Sequence, residues 1–198
     1  MNTSSSKPLL AAALSLLGPV GCASDGSPTA SASTQAAQAT PAAAHDAQLP
    51  AALADVPGIR APKPGLYTAA QPTAAQWRGI ADTGVTTVIN LRPDAELEGR
   101  DERAEVGAAG MRYVQIPVAG KGDISVTNAD ALARSLQQAD GPVLVHCASG
   151  NRVGALLALG AVRAGMPVEE AITYGKSAGL AGAEATVRER IAEGAAED

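Results

Sequence analysis

The stretch Pro142-Val143-Leu144-Val145-His146-Cys147-Ala148-Ser149-Gly150-Asn151-Arg152-Val153-Gly154-Ala155-Leu156 decides the fold. An apolar run short enough for a buried strand breaks at a small polar loop and passes into an alanine-rich helical pattern. Cys147 therefore ends a strand and meets a helix N-terminus. Free N–H groups and the positive end of the helix dipole converge on such a loop, so it suits an anion. The same field, reinforced by the Arg152 guanidinium, favours negative charge on the sulfur. A lone cysteine after an apolar strand is commonly just a small buried hydrophobe, and a glycine in a strand-to-helix turn is ordinary. A purely structural turn, however, needs neither the thiol nor the guanidinium. Cys147, Gly150 and Arg152 within six residues point to an anion-binding loop that also carries a nucleophile.

Working outward, the same alternation recurs on both sides. Upstream, Gly65 to Ala69 reads as a strand, Thr73 caps a helix to about Asp82 with Trp77 and Ile80 at helical spacing, and Thr86 to Leu91 is a β-branched buried strand. Arg92-Pro93-Asp94 turns into a charge-rich segment, Ala95 to Ala109, which predicts a helix whose Glu96, Glu98, Arg100, Asp101, Glu102 and Arg103 form a solvated face. Met111 to Ile116 is a further strand. A glycine-bearing loop with Lys121 and Asp123 follows, and a helix capped by Ser125 or Thr127 runs to about Gln138. Downstream, Val153 to Ala164, Val168 to Ser177 and Ala183 to Ala195 read as helices. Strands alternating with helices predict an α/β fold: a single domain with a mainly parallel central sheet flanked by helices.

The 198-residue chain carries a net charge of −5 and no basic cluster, so nucleic acid is not an expected partner. Residues 1–21 read as an export signal, with Lys7 ahead of the apolar stretch Leu9 to Leu17 and a Gly18-Pro19 break. Gly21-Cys22 resembles the lipobox of bacterial lipoproteins, although Pro19 stands where that pattern usually has leucine. It implies acylation of Cys22 and a membrane anchor in the bacterial cell envelope, facing the periplasm; an ordinary secretory signal cut at a nearby small residue, such as after Ala23, is the alternative. Ala23 rather than Asp after the cysteine points to the outer membrane. Residues 22–55, rich in Ala, Ser, Thr, Gln and Pro, read as a disordered tether, and residues 56–198 as the folded domain. With Cys22 acylated, Cys147 has no cysteine left to pair with and stands as a lone thiol in an oxidising compartment.

Three stretches, Leu66 to Pro72, Thr87 to Asp94 and Val145 to Arg152, together with Ala171, Tyr174, Gly175, Lys176, Gly179 and Leu180, resemble one family. They are similar to the dual-specificity, cysteine-based protein phosphatases, in particular the bacterial beta-lactamase-hydrolase-like group. The resemblance implies that Cys147 attacks phosphorus to give a phosphocysteine. Amides of Ala148, Ser149, Gly150, Asn151 and Arg152 then hold the phosphate, Arg152 adds a bidentate pair, and neither metal nor cofactor is required. It also implies an aspartate general acid, for which Asp123 is the first candidate and Asp94 the second; beside Gly122, Asp123 reads equally as a plain turn residue. His146 is expected to order the loop, and Asn90 and Arg92 either to brace neighbouring loops or to take part in a salt bridge at the sheet edge. Two departures stand out. Four residues rather than five separate Cys147 from Arg152, a spacing that also matches rhodanese sulfurtransferases, and Val153 occupies a position where Ser or Thr is common. The expected partner is a phosphorylated protein or small molecule. A sulfurtransferase and a phosphate-binding module without turnover are the alternatives.

Overall fold

The computed structural model of the chain describes residues 49–194. The stretch read as an export signal, Cys22 and the stretch read as a tether up to residue 48 lie outside them. Five strands form one sheet: β1 (Arg60–Lys63), β2 (Leu66–Ala69), β3 (Thr87–Asn90), β4 (Arg112–Gln115) and β5 (Val143–His146). Their order is β1-β2-β5-β3-β4, with β5 central. The pairs β2–β5, β5–β3 and β3–β4 are parallel, and β1 joins the edge antiparallel to β2. The mainly parallel α/β sheet read from the sequence is the observed one. Strand β1 was not expected. It contains Pro62, which an edge strand tolerates because one side of its ladder is unpaired.

Alternation along the strands sorts the core into two layers. Leu66, Ile89, Val143, Val145 and Cys147 face one side, packing with helices α3 (Val126–Gln137), α4 (Asn151–Arg163), α5 (Val168–Ser177) and α6 (Glu184–Gly194). Ala69, Val88 and Leu144 face the other, against α1 (Trp77–Asp82) and α2 (Glu102–Ala108). Leu53 and Val56 are buried in this second layer, so packed structure begins a few residues before the composition change suggests. Ser125, not Thr127, caps α3: its hydroxyl accepts from the Asn128 amide at 3.3 Å. None of the described helices is long and apolar enough to cross a membrane.

The segment expected to be one solvated helix, Ala95 to Ala109, is different. A 3-10 turn covers Asp94–Glu96, the chain then passes through left-handed conformations at Glu98 (φ 53°) and Gly99 (φ 80°), and α2 starts only at Glu102. A positive φ at Glu98 and Gly99 cannot be accommodated in a right-handed helix. The break turns Glu96 and Glu102 inward: Glu102 is 1% exposed.

Helix α4 is held close to the α5–α6 turn by two glycines. A Cβ on Gly154 would lie 2.1 Å from the Leu180 amide nitrogen and 2.5 Å from the Gly175 carbonyl oxygen, and one on Gly175 would lie 2.8 Å from the Gly154 carbonyl oxygen. At Gly154 the three nearest atoms are all backbone, so no flexible side chain is available to yield. Gly154→Ala is therefore expected to destabilise the domain by about 3 kcal/mol, the upper end of ordinary overpacking costs. Urea unfolding measures it, and a loss below about 1 kcal/mol would mean the helices can separate cheaply.

Candidate active site

Strand β5 delivers Cys147 to the C-terminal edge of the sheet, where open α/β sheets place their sites. Gly150, in the left-handed conformation (φ 85°), turns the chain into α4 and is its N-cap. Amides in the first turn of a helix lack intrahelical acceptors, so the start of α4 offers free donors toward the loop. The Gly150 amide already points at the sulfur, 3.1 Å from Cys147 Sγ. Cys147 and Gly150 are buried, whereas Ala148 and Ser149 are exposed. Asn151 fastens the loop from behind: its Oδ1 accepts from the amides of Ala181 (2.8 Å) and Ala183 (3.2 Å).

Arg152 is fixed in a way that leaves one edge of it free. Nη1 donates to Glu96 Oε1 at 2.8 Å and to the Val118 carbonyl, and Nη2 donates to Glu96 Oε2 at 2.7 Å. Of the five N–H donors of a guanidinium, these take three. The remaining two, Nε–H and the second hydrogen of Nη2, lie on the same edge and form a parallel fork. Hydrogen bonding to Glu96 holds the proton affinity of Arg152 above its ordinary range against the opposing effect of burial, and the neighbouring Cys147 side chain adds to the rise. Reciprocally, the Arg152 hydrogen bonds hold the Glu96 carboxyl below the usual carboxylate range despite partial burial, with Arg92 contributing.

Glu96 is one member of a closed polar ring that starts and ends on the loop. His146 Nε2 lies 2.8 Å from Glu102 Oε1, and Glu102 Oε2 accepts from Gln71 Nε2 at 2.6 Å. Gln71 Oε1 accepts from Arg92 Nη1 at 2.6 Å, and Arg92 Nε donates to Glu96 Oε2 at 3.3 Å. Glu96 then holds Arg152. The ring thus joins the residue before Cys147 to the arginine five residues after it. Asn90 supports it from below, with Oδ1 accepting from the Arg92 amide at 2.7 Å and Nδ2 donating to the Tyr113 hydroxyl at 2.9 Å. Trp77 packs its ring at a tilt against His146, with centroids 5.8 Å apart.

Cys147 and Arg152, read from the sequence, are together. The two aspartates are turned to local work in this state. Asp123 Oδ2 accepts from the amides of Ala119 (2.8 Å) and Gly120 (3.4 Å), closing its own turn, although that loop borders the site through Val118. Asp94 Oδ1 accepts from Gln115 Nε2 at 2.7 Å. Glu96, Glu102 and Gln71 were not expected here. The available signal was their position beside quoted motifs: Gln71 lies in Leu66 to Pro72, and Glu96 stands two residues beyond Asp94.

A thiol in an amide-lined loop beside an arginine fork has the donors to hold an oxyanion and a sulfur placed to attack one. Residues 58–164, more than half of the chain, match the family described as beta-lactamase hydrolase-like protein, phosphatase-like domain. The chain belongs to this family. Among curated relatives, a beta-lactamase hydrolase-like protein from Agrobacterium fabrum is 39% identical over 101 residues, 48% of this chain and 23% of that protein. One from Xylella fastidiosa is 40% identical over 103 residues, covering 49% and 23%. The matched region is thus about a quarter of each relative's length. A candidate phosphatase from Neisseria meningitidis superimposes with a TM-score of 0.59 and 28% identity, covering 67% of this chain and 98% of that one. TpbA from P. aeruginosa, solved as a cysteine-to-serine form in complex with phosphotyrosine, gives a TM-score of 0.52 and 26% identity over 68% and 81%. The fold of this phosphatase-like domain is therefore that of the cysteine-phosphatase group.

Proposed function

We propose that the chain is a phosphomonoester hydrolase of the dual-specificity or tyrosine-phosphatase kind, working through a phosphocysteine. The observation that carries this reading is the free Nε/Nη2 edge of Arg152 beside Cys147. Two parallel N–H donors next to a thiolate match two oxygens of a phosphoryl group under attack. Family membership and the phosphotyrosine-bound neighbour support the same substrate chemistry.

In the first step the Cys147 thiolate forms an S–P bond as the ester O–P bond breaks, and the leaving oxygen takes up a proton. In the second, water attacks phosphorus, the S–P bond breaks, and inorganic phosphate and the thiolate are released. Amides of Ala148, Ser149, Gly150, Asn151 and Arg152, with the guanidinium fork, stabilise charge on the equatorial oxygens throughout. Asp123 serves as the acid once its loop releases the amides of Ala119 and Gly120 and swings toward the leaving group. Val153 offers no hydroxyl to the departing thiolate, so the second step is the slower one. The reading includes acylation of Cys22 and a tethered domain facing the periplasm from the outer membrane, acting on a phosphorylated protein or small molecule there.

The four-residue spacing between Cys147 and Arg152 also favours sulfur transfer, in which the cysteine would carry a persulfide. One comparison separates the two: phosphate release from p-nitrophenyl phosphate against thiocyanate formation from thiosulfate and cyanide, under reducing conditions with Cys147→Ser as control. Phosphate release that depends on Cys147 is expected. Thiocyanate formation without phosphate release would replace this reading with the sulfurtransferase. Tight orthovanadate binding with neither reaction would replace it with a phosphate-binding module.

The role of Asp123 has its own expected result. Asp123→Asn should slow phenyl phosphate by roughly 10²-fold, in the range of general-acid contributions, and p-nitrophenyl phosphate far less, because nitrophenolate leaves without help. Equal slowing of both esters removes Asp123 from the mechanism and turns attention to Asp94.

A further inference from the structure

A second guanidinium stands beside the loop. Arg60, on the edge strand β1, donates from Nη1 to the Gly58 carbonyl at 2.8 Å. A Cβ on Gly150 would lie 3.5 Å from that same nitrogen, and a Cβ on Gly179 would lie 3.3 Å from it. All three glycines have positive φ: 61°, 85° and 114°. Three separate segments, the approach to β1, the Cys147 loop and the α5–α6 turn, therefore present bare backbone to one side chain. That convergence makes room for a guanidinium at the outer wall of the loop.

Two features distinguish this arrangement from a brace. Arg60 stands beside the loop but makes no hydrogen bond to Gly150 or Gly179; among the described residues its one side-chain bond is to a carbonyl two residues away in its own strand approach. Among the described residues no carboxylate pairs with it, whereas Arg92 and Arg152, the other arginines of the site, both bind Glu96. Among the described residues four of its five N–H donors are thus uncommitted, on a half-exposed side chain. An uncommitted guanidinium is a ready partner for a carboxylate or a phosphate.

We propose that Arg60 is a specificity-determining residue: it forms a subsite for a second anionic group carried on the leaving-group side of a phosphomonoester whose phosphate occupies the Cys147 loop. The proposal rests on the phosphomonoesterase reading above. A substrate with two anions engages both guanidinium groups, and one with a neutral leaving group engages only Arg152.

The test uses the full chain and a matched pair of esters, 3-carboxyphenyl phosphate and 3-carbamoylphenyl phosphate, which differ in the charge of one substituent. The unaltered protein is expected to favour the carboxylate by about 10-fold in kcat/KM, the scale of one charge-assisted hydrogen-bonded contact. Arg60→Gln should abolish that preference while leaving the carbamoyl ester within about twofold, and Arg60→Lys should retain part of it. Equal turnover of the two esters by the unaltered protein overturns the subsite. So does a preference that survives in Arg60→Gln, or an equal loss on both esters, which marks a brace. Absence of Cys147-dependent turnover of either ester is a different failure: it removes the phosphomonoesterase reading and the subsite with it.

Discussion

Arg152→Lys is expected to lower kcat for p-nitrophenyl phosphate by about 10³-fold or more, the scale of losing a preorganised transition-state donor, with little change in thermal stability. A lysine can keep an ion pair with Glu96, but it has a single nitrogen and cannot hold a carboxylate at one edge while presenting a fork at another. The geometry makes this sharper than a general statement about arginine. Glu96 and Val118 take three donors and leave two adjacent ones, so the orientation of the fork depends on Glu96. Glu96→Gln should accordingly reduce kcat by about 10- to 100-fold, less than loss of the fork itself but more than a surface charge would give. Its KM should rise little if the arginine acts mainly on the transition state. An Arg152→Lys variant with activity near that of the unaltered protein would show that the amides alone carry the charge. The side-chain exposures, 15% for Arg152 and 30% for Glu96, argue that this pair acts by positioning rather than as a major source of fold stability.

The centre of the site was legible in the sequence because its signals are local. A short apolar run, a glycine and an alanine-rich helical pattern lie within fifteen residues, and the parallel sheet follows from repeating that alternation. The polar ring was not legible, because its contacts join residues 31, 44 and 56 positions apart, and no spacing rule reaches that far. A charge-rich segment is also ambiguous by composition alone. Glu102 and Glu98 are the same residue type four positions apart, yet one is buried under the sheet and the other stands in a left-handed turn at the surface. The Glu98-Gly99 break decides which face each presents, and an isolated glycine in a polar run is weak notice of it. Motif residues fared better than composition. Gln71 was marked only by its place in the Leu66 to Pro72 stretch, while Asn90 and Arg92 were expected to brace loops or pair at the sheet edge, and each joins or braces the ring. For Asp123, the sequence left a turn residue and an acid as alternatives, and in the described state its carboxylate closes its own turn.

Glu102→Ala is expected to cost about 2–5 kcal/mol of stability, because the groups on His146 and Gln71 that its carboxylate pairs are both left without it. Both side chains of the pair with His146 are fully buried. Among the described residues His146 Nδ1 has no hydrogen-bond partner, so removing Glu102 strands the second ring nitrogen as well. Glu102→Gln is the milder change. Its carbonyl oxygen can still accept from His146, but its amide then faces the Gln71 amide, donor against donor, and Gln71 cannot flip without losing its acceptor contact with Arg92. A cost of about 1–3 kcal/mol is expected for that mismatch. The two variants also differ from the unaltered protein in pH dependence. Burial pushes the Glu102 carboxyl up, but hydrogen bonds from His146 and Gln71 and the nearby charge of Arg100 together hold it below the usual value. A depressed carboxyl contributes stability that is fully present above the unfolded-state value, about 4.3, and that is lost as the pH falls through the lower folded-state value. The acid side of the stability profile should therefore flatten in Glu102→Gln relative to the unaltered protein, while above about pH 5 its deficit stays constant. Urea unfolding between pH 3 and 7 measures both. Parallel profiles over that range would mean that Glu102 carries no net charge in the folded ring, and the hydrogen-bond pattern around His146 would have to be redrawn with a protonated carboxyl.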